Sequence, residues 1–341
     1  MSAPLESILL HEFEPLLRNP HLLTIAANFW PRKIDQRRFP PVREHYQIDS
    51  TTTILVIEHQ PEATSRGQIV LLHGLEGSAD AGYIQSLAQE ALIHGFGVHR
   101  VNSRTCGGTE GLCETSYHSG LTTDTRTMLH KIANRQLGPI VLVGFSLGGN
   151  VALKLAGELG ETDLVSAVCA ISTPIDLAAC VECIDKPANF LYRRRFLDRL
   201  KKRVQRKSVL TPHLYSTAGL DDVKTIWEFD DRITAPLFGF GTAANYYATQ
   251  SASRYLDAIR IPALVITARN DPMVPFEIYN HPAFRSNPFL TLVAPEHGGH
   301  LGFLSRSKPR FWTDGLVLNW LHQLESLSGA GTMTVNLTSG R

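Results

Sequence analysis

In Pro139-Ile-Val-Leu-Val-Gly-Phe-Ser146-Leu-Gly-Gly-Asn150 an apolar run meets a glycine-rich corner without any intervening loop. Residues 139–145 are short, apolar and rich in β-branched side chains, the pattern of a buried strand. From Leu147 to Leu159 apolar residues recur at three- and four-residue spacing, the helical period. A strand that passes straight into a helix forces its corner residue into a strained backbone conformation, and the small residues Gly144 and Gly148 relieve the crowding. The Ser146 hydroxyl then projects above the sheet, beside the positive end of the following helix. Gly-x-Ser-x-Gly alone also occurs in ordinary turns; the strand before it and the helix after it make Ser146 a candidate nucleophile.

On either side of this corner the same alternation continues. Apolar runs at 68–73, 97–102, 165–172, 262–268 and 289–294 read as further buried strands, while 83–94, 121–137 and 311–327 carry helical spacing. Strand then helix, repeated, predicts a mostly parallel sheet with helices on both faces. The alternation stops at Thr173 and resumes at Ile261-Pro262, and the helical patterns between them fit a cap packed on the sheet. The expected divisions are an N-terminal extension with the first strands (1–65), a first core half (66–174), a helical cap insertion (175–258), a second core half (259–327) and a flexible Gly/Ser/Thr-rich tail (328–341).

The 341 residues are 43% hydrophobic and 19% charged, an ordinary globular composition. Lys and Arg number 33 against 32 Asp and Glu, a net charge of +1 that excludes a global attraction to nucleic acid or to anionic membrane. Residues 1–19 have no basic segment followed by an apolar one, so no secretory signal is read there and a cytoplasmic location is expected. The five cysteines lack framework spacing, and Cys180-x-x-Cys183 lacks the second pair of a structural zinc site, so free thiols are expected.

A serine nucleophile needs a base, an acid to orient it and donors for a developing oxyanion. Residues 68–73 run into Gly74-Leu75-Glu76-Gly77-Ser78, where glycines let backbone N–H groups approach a ligand; Leu75 and Leu147 are the expected oxyanion donors. A tight turn is the plainer account of Gly74 and Gly77. The acid is expected at Asp271, in Arg269-Asn270-Asp271-Pro272 at a strand's carboxyl end, with Asp176 as the rival; Asp before Pro is also a routine turn former. The base is expected at His300, with His297 second, in Glu296-His297-Gly298-Gly299-His300. The resulting order of Ser, Asp and His along the chain is the one this strand-and-helix architecture uses. His297 and His300 lie in a glycine loop without an acidic cluster, so no metal is expected, and the chemistry needs no cofactor.

These residues together resemble the α/β-hydrolases, and within them the YheT-like branch, which also holds eukaryotic membrane-associated lipid esterases. The resemblance rests on Asn19-Pro20-His21-Leu22-Leu23-Thr24, His73-Gly74-Leu75-Glu76-Gly77-Ser78, Tyr117-His118-Ser119-Gly120, Gly144-Phe145-Ser146-Leu147-Gly148-Gly149-Asn150, Phe238-Gly239-Phe240 with Tyr246-Tyr247, and His297-Gly298-Gly299-His300-Leu301-Gly302-Phe303. It implies an α/β-hydrolase fold and a triad on Ser146, Asp271 and His300, the residues already chosen. Asn270 stands where the family usually has a second aspartate, Thr105 replaces a usual glycine, and 51–59 lacks the usual acidic-glycine turn. The expected activity is hydrolysis of carboxylic esters, possessing lipase-like reach to acylglycerols or lysophospholipids. Transfer of the acyl group to another acceptor, or a non-catalytic binding role on the same fold, are the alternatives.

One local charge asymmetry stands out. Between Tyr192 and Lys207, nine Arg and Lys face a single acid, Asp198. Phe196, Leu197, Leu200 and Val204 recur at helical spacing, predicting an amphipathic helix whose apolar face packs on the protein or on lipid. The basic face from Arg193 to Lys207 is either simply solvated or a site for peripheral contact with anionic membrane or a phosphate-bearing substrate.

Overall fold

The structure is a computed structural model, described here over residues 13–329. Eight strands form one sheet in the order β1-β2-β4-β3-β5-β6-β7-β8. They are β1 (Val42–Asp49), β2 (Thr52–His59), β3 (Gln68–Leu72), β4 (Gly97–Val101), β5 (Ile140–Phe145), β6 (Ala167–Ile171), β7 (Ala263–Ile266) and β8 (Leu290–Val293). From β4 across to β8 every pairing is parallel, whereas β1, β2 and β4 pair antiparallel. The two-residue connection between β1 and β2 permits only a hairpin, which accounts for the antiparallel edge.

Alternating side chains on each central strand serve opposite layers. Val70, Leu72, Leu142, Val168 and Val265 face a core completed by α3 (Thr123–Ala133) and α4 (Leu147–Leu159). Ile69, Leu71, Val143, Cys169 and Leu264 face the other core, completed by α2 (Gly82–Ile93) and α9 (Trp312–Gly329). The near-continuous apolar runs seen in the sequence are thus strands buried on both sides. One helix was not foreseen: α1 (Pro20–Phe29), whose start is fixed by the Asn19 side chain accepting the Leu22 N–H and by Pro20 in the first turn. The last helix runs to Gly329, and the rest of the expected tail lies outside the described residues, as do residues 1–12.

Between β6 and β7 the chain is helical: α5 (Leu177–Asp185), α6 (Phe190–Leu210), a continuous run α7 over 226–237 with a π-helical middle, and α8 (Ala243–Gln250). Leu197, Leu200 and Val204 of α6 are buried in a cluster with Tyr215, Ile226 and Phe229. The apolar face of α6 therefore packs on protein. Among the described residues no helix is long and apolar enough to cross a membrane.

Candidate functional site

Ser146 ends β5 and begins α4 with φ 53° and ψ −120°, a region that a side-chain-bearing residue occupies only under strain. The corner is possible because of its neighbours. A Cβ on Gly144 would stand 2.2 Å from the Gly148 carbonyl oxygen, and one on Gly148 would stand 2.4 Å from the Leu72 carbonyl oxygen. Both obstacles are backbone and cannot turn aside. The Ser146 N–H donates to the Ile171 carbonyl at 2.8 Å, tying the corner to β6.

Asp271 follows β7 in a loop closed on its own carboxylate: Oδ1 accepts the N–H groups of Met273 at 2.8 Å and Val274 at 3.1 Å. Its side chain is fully buried. Oδ2 lies 2.8 Å from His300 Nδ1, and His300 Nε2 lies 3.0 Å from Ser146 Oγ. An ionised carboxylate only accepts, so Nδ1 carries the imidazole proton and Nε2 is left to accept the serine O–H. The three side chains come from the carboxyl ends of β5, β7 and β8, one edge of the parallel sheet.

The second-choice residues lie elsewhere in the hydrogen-bond pattern. Asp176 caps α5 by accepting the Ala179 N–H at 3.1 Å. His297 Nδ1 lies 3.2 Å from the Asn270 side-chain nitrogen, while Asn270 Oδ1 accepts the Gly299 N–H at 3.1 Å. Asn270 thus clamps the glycine loop that presents His300. Among the described residues no three His, Cys, Asp or Glu side chains converge to hold a metal ion.

The loop after β3 orients its amides individually. Gly74 N–H donates to Tyr83 OH at 3.0 Å, Glu76 N–H to Tyr117 OH at 2.8 Å, and Gly77 N–H to the Gly74 carbonyl at 3.0 Å. Between them, the Leu75 N–H has no acceptor among the described residues. Leu147 opens α4, so its N–H likewise lacks an acceptor within its helix. His73 Nδ1 is 2.7 Å from the Gly74 carbonyl and its Nε2 accepts the Ser103 N–H at 3.1 Å. Burial, aided by the Arg203 charge, pushes this imidazole down to about 4, so it is neutral near pH 7, with Nδ1 as the donor.

Sequence reasoning missed two supports of the site. The His300 N–H donates to Thr24 Oγ1 of α1 at 2.9 Å, and a Cβ on Gly299 would meet that same oxygen at 2.5 Å. Thr24 falls in a segment quoted for the family resemblance, but no local pattern gave it a physical task. Glu76 has φ 56° and pairs through Oε1 with Arg203 of α6 at 2.5 Å, while Arg199 donates to the Glu76 carbonyl at 3.1 Å. The guanidinium of Arg203 also stacks 4.5 Å from the Tyr117 ring centre. Only the run of basic residues hinted at this, and it gave no partner.

Two cavities meet at Ser146 and His300. One is a chamber under the cap, walled by apolar residues including Leu177, Val181, Leu200, Ile226, Phe229 and Leu237. Its acid, Asp230, accepts hydrogen bonds from Thr234 and Tyr247, and burial pushes its carboxyl up to about 6. The other is a broader cleft between α1, the loop after β3 and the start of α6, where apolar side chains such as Ile25, Phe29 and Phe196 share the wall with Arg32, Asp80, Tyr192, Arg195 and Arg199.

Comparison with known proteins agrees with this architecture. Residues 68–307 match the model of the alpha/beta hydrolase fold. The chain is 32% identical over 320 residues to "Putative esterase YheT" of Escherichia coli (strain K12), covering 91% of this chain and 93% of that protein. It is 28% identical over 255 residues to Phospholipase ABHD3 of Bos taurus, covering 74% of this chain and 62% of that one. Among solved structures, the Pyrococcus furiosus esterase Pf2001 superposes with a TM-score of 0.57 at 16% identity, covering 86% of this chain and 98% of the other.

Proposed function

From a chain that belongs to the α/β-hydrolase family, we propose a serine hydrolase that cleaves carboxylic esters through an acyl-enzyme. The observation that carries this is the hydrogen-bonded line from Asp271 through His300 to Ser146, at 2.8 and 3.0 Å. In this mechanism His300 Nε2 takes the hydroxyl proton as Ser146 Oγ bonds to the ester carbonyl carbon. The carbonyl electron pair moves onto oxygen, where the N–H groups of Leu75 and Leu147 stabilise it. Collapse breaks the bond to the alcohol oxygen, which departs with the proton from His300. Water gives a proton to His300 as its oxygen bonds to the acyl carbon; the bond to Ser146 Oγ then breaks, Oγ takes the proton back from His300, and the acyl group leaves as an acid. Asp271 keeps the imidazole in the required tautomer throughout.

The apolar chamber suits the acyl portion, since burying hydrocarbon there contributes about 25 cal/mol per Å² of area removed from water. Names of relatives that include an esterase and a phospholipase are consistent with an ester or lipid substrate. A panel of p-nitrophenyl esters from acetate to palmitate tests turnover and acyl length, and a fluorophosphonate tests the nucleophile. Ser146→Ala is expected to lower kcat by about a millionfold and to abolish labelling. Undiminished turnover or labelling in a folded S146A protein would remove Ser146 from its role.

A further inference from the structure

The cleft that meets the acyl chamber at Ser146 and His300 carries more positive charge than its own ion pairs use. Arg195 and Arg199 stand one helical turn apart on α6 and both line it, as does Arg32. Two acids share the wall, Glu76 and Asp80, but each is already engaged: Glu76 with Arg203 at 2.5 Å and Asp80 with Arg100 at 3.1 Å. The hydrogen bonds of Arg195 and Arg199 go to neutral groups by contrast, although Arg199 also lies in the field of the Glu76 carboxylate that Arg203 already holds. Arg195 reaches the Asn28 side-chain oxygen at 3.5 Å, and Arg199 donates to the Glu76 carbonyl at 3.1 Å. Among the described residues neither forms an ion pair. Like charges one turn apart repel, which destabilises α6 unless an anion lies between them. Arg32 is a third guanidinium on the same wall, but the Asp314 charge offsets it in part and it lies 4.2 Å from the Phe311 ring centre; its buried Nε has no acceptor among the described residues.

This surplus lies beside the reacting hydroxyl, and the wall it shares is continuous with Ser146 and His300. Guanidinium groups bind phosphate and carboxylate by paired, charge-assisted hydrogen bonds. We propose that the cleft is the subsite for the alcohol half of the substrate, and that it selects esters whose alcohol carries a phosphate or carboxylate, held by Arg195 and Arg199. The assignment rests on the acyl-enzyme reading above and names the substrate class for that same site. On collapse of the tetrahedral intermediate the bond between acyl carbon and alcohol oxygen breaks. That oxygen takes its proton from His300, and the anion-bearing alcohol departs through the cleft while the acyl group stays on Ser146 until water releases it.

Three esters of one acyl length separate the possibilities: 1-octanoylglycerol, 1-octanoylglycerol 3-phosphate and O-octanoyl lactate. The expected result is a kcat/KM for the phosphate or the carboxylate ester about tenfold or more above that of the neutral one, and the faster of the two identifies the anion. In the R195Q/R199Q protein this ratio is expected to fall to within about twofold of unity. A ratio taken on one preparation cancels any loss of folded enzyme. A neutral ester cleaved as fast as both anionic ones, or a ratio untouched by the two substitutions, would overturn the subsite. If none of these esters nor p-nitrophenyl octanoate is cleaved, the esterase reading fails, and calorimetry still decides the subsite. Octyl phosphate should bind S146A about fivefold or more tighter than S146A/R195Q/R199Q, whereas equal affinities would refute it.

Discussion

The corner at Ser146 and the helix α6 border the same two cavities and are built by opposite means. The corner depends on what is missing: Gly144 and Gly148 have no Cβ where backbone oxygens stand 2.2 and 2.4 Å from the place it would occupy. Helix α6 depends on what reaches across: Arg203 to Glu76, Arg206 to Glu110 at 2.5 Å, and Lys207 to the Cys113 carbonyl at 2.7 Å. The first kind of construction is rigid, with one backbone obstacle four residues along the chain and the other on the neighbouring strand β3. The second joins residues about a hundred positions apart and leaves Arg195 and Arg199 without an ion pair among the described residues. On the proposed reading, chemistry is lodged in the sheet edge and selection in the cap.

If that division holds, substitutions at the sheet edge should change rate with little change in folding, and substitutions along α6 should change folding or selectivity. After Ser146→Ala, the largest effect is expected at Asp271→Asn. The amide keeps an oxygen for Met273 and Val274, but its NH2 group donates toward His300 and turns the imidazole into the wrong tautomer; kcat should fall about ten-thousandfold with an unchanged melting profile. A fall of less than tenfold would detach Asp271 from the chemistry.

Next comes Arg203→Ala, which strands the buried Glu76 carboxylate and should cost about 3–5 kcal/mol in denaturant unfolding. The double change R203M/E76Q should cost less than R203A alone, because it removes both charges. Equal losses in the two proteins would mean that packing, not charge, holds α6 to the loop. The smallest effect is expected at Thr24→Val, which leaves the His300 N–H without its acceptor; about 1–3 kcal/mol of stability should be lost, with a modest fall in kcat. A T24V protein as stable and active as the parent would show that α1 does not hold the loop.

The same contrast explains what could be read from the sequence. Strands such as β5 and β7 announce themselves by continuous apolar runs, and Ser146 by glycines within two residues, because the residues that must be apolar or small there are themselves neighbours in the chain. Asp271 and His300 followed from their places after strands, since a parallel sheet gathers such loops at one edge. The clasp of Glu76 by Arg203 could not be found this way: nine basic residues within 192–207 look alike until the fold shows which of them turns inward. Whether Leu197, Leu200 and Val204 met protein or lipid was equally undecided, because periodicity defines a face and not what covers it. The helix α1 escaped notice because it has one short capping signal, Asn19-Pro20, and no strand beside it.

Helix α1 also bears on where a self-sufficient fragment of this protein would have to begin. The region matching the family model starts at residue 68, yet the backbone of His300 is fastened to Thr24, and Gly302 fits against the carbonyl of Leu23. A polypeptide trimmed to the matched boundaries would contain Ser146, Asp271 and His300 but lose the brace behind the imidazole together with β1, β2 and the α9 side chains that complete one core. The structural support of the site is therefore larger than the matched family core, and its first turn lies upstream of the sheet.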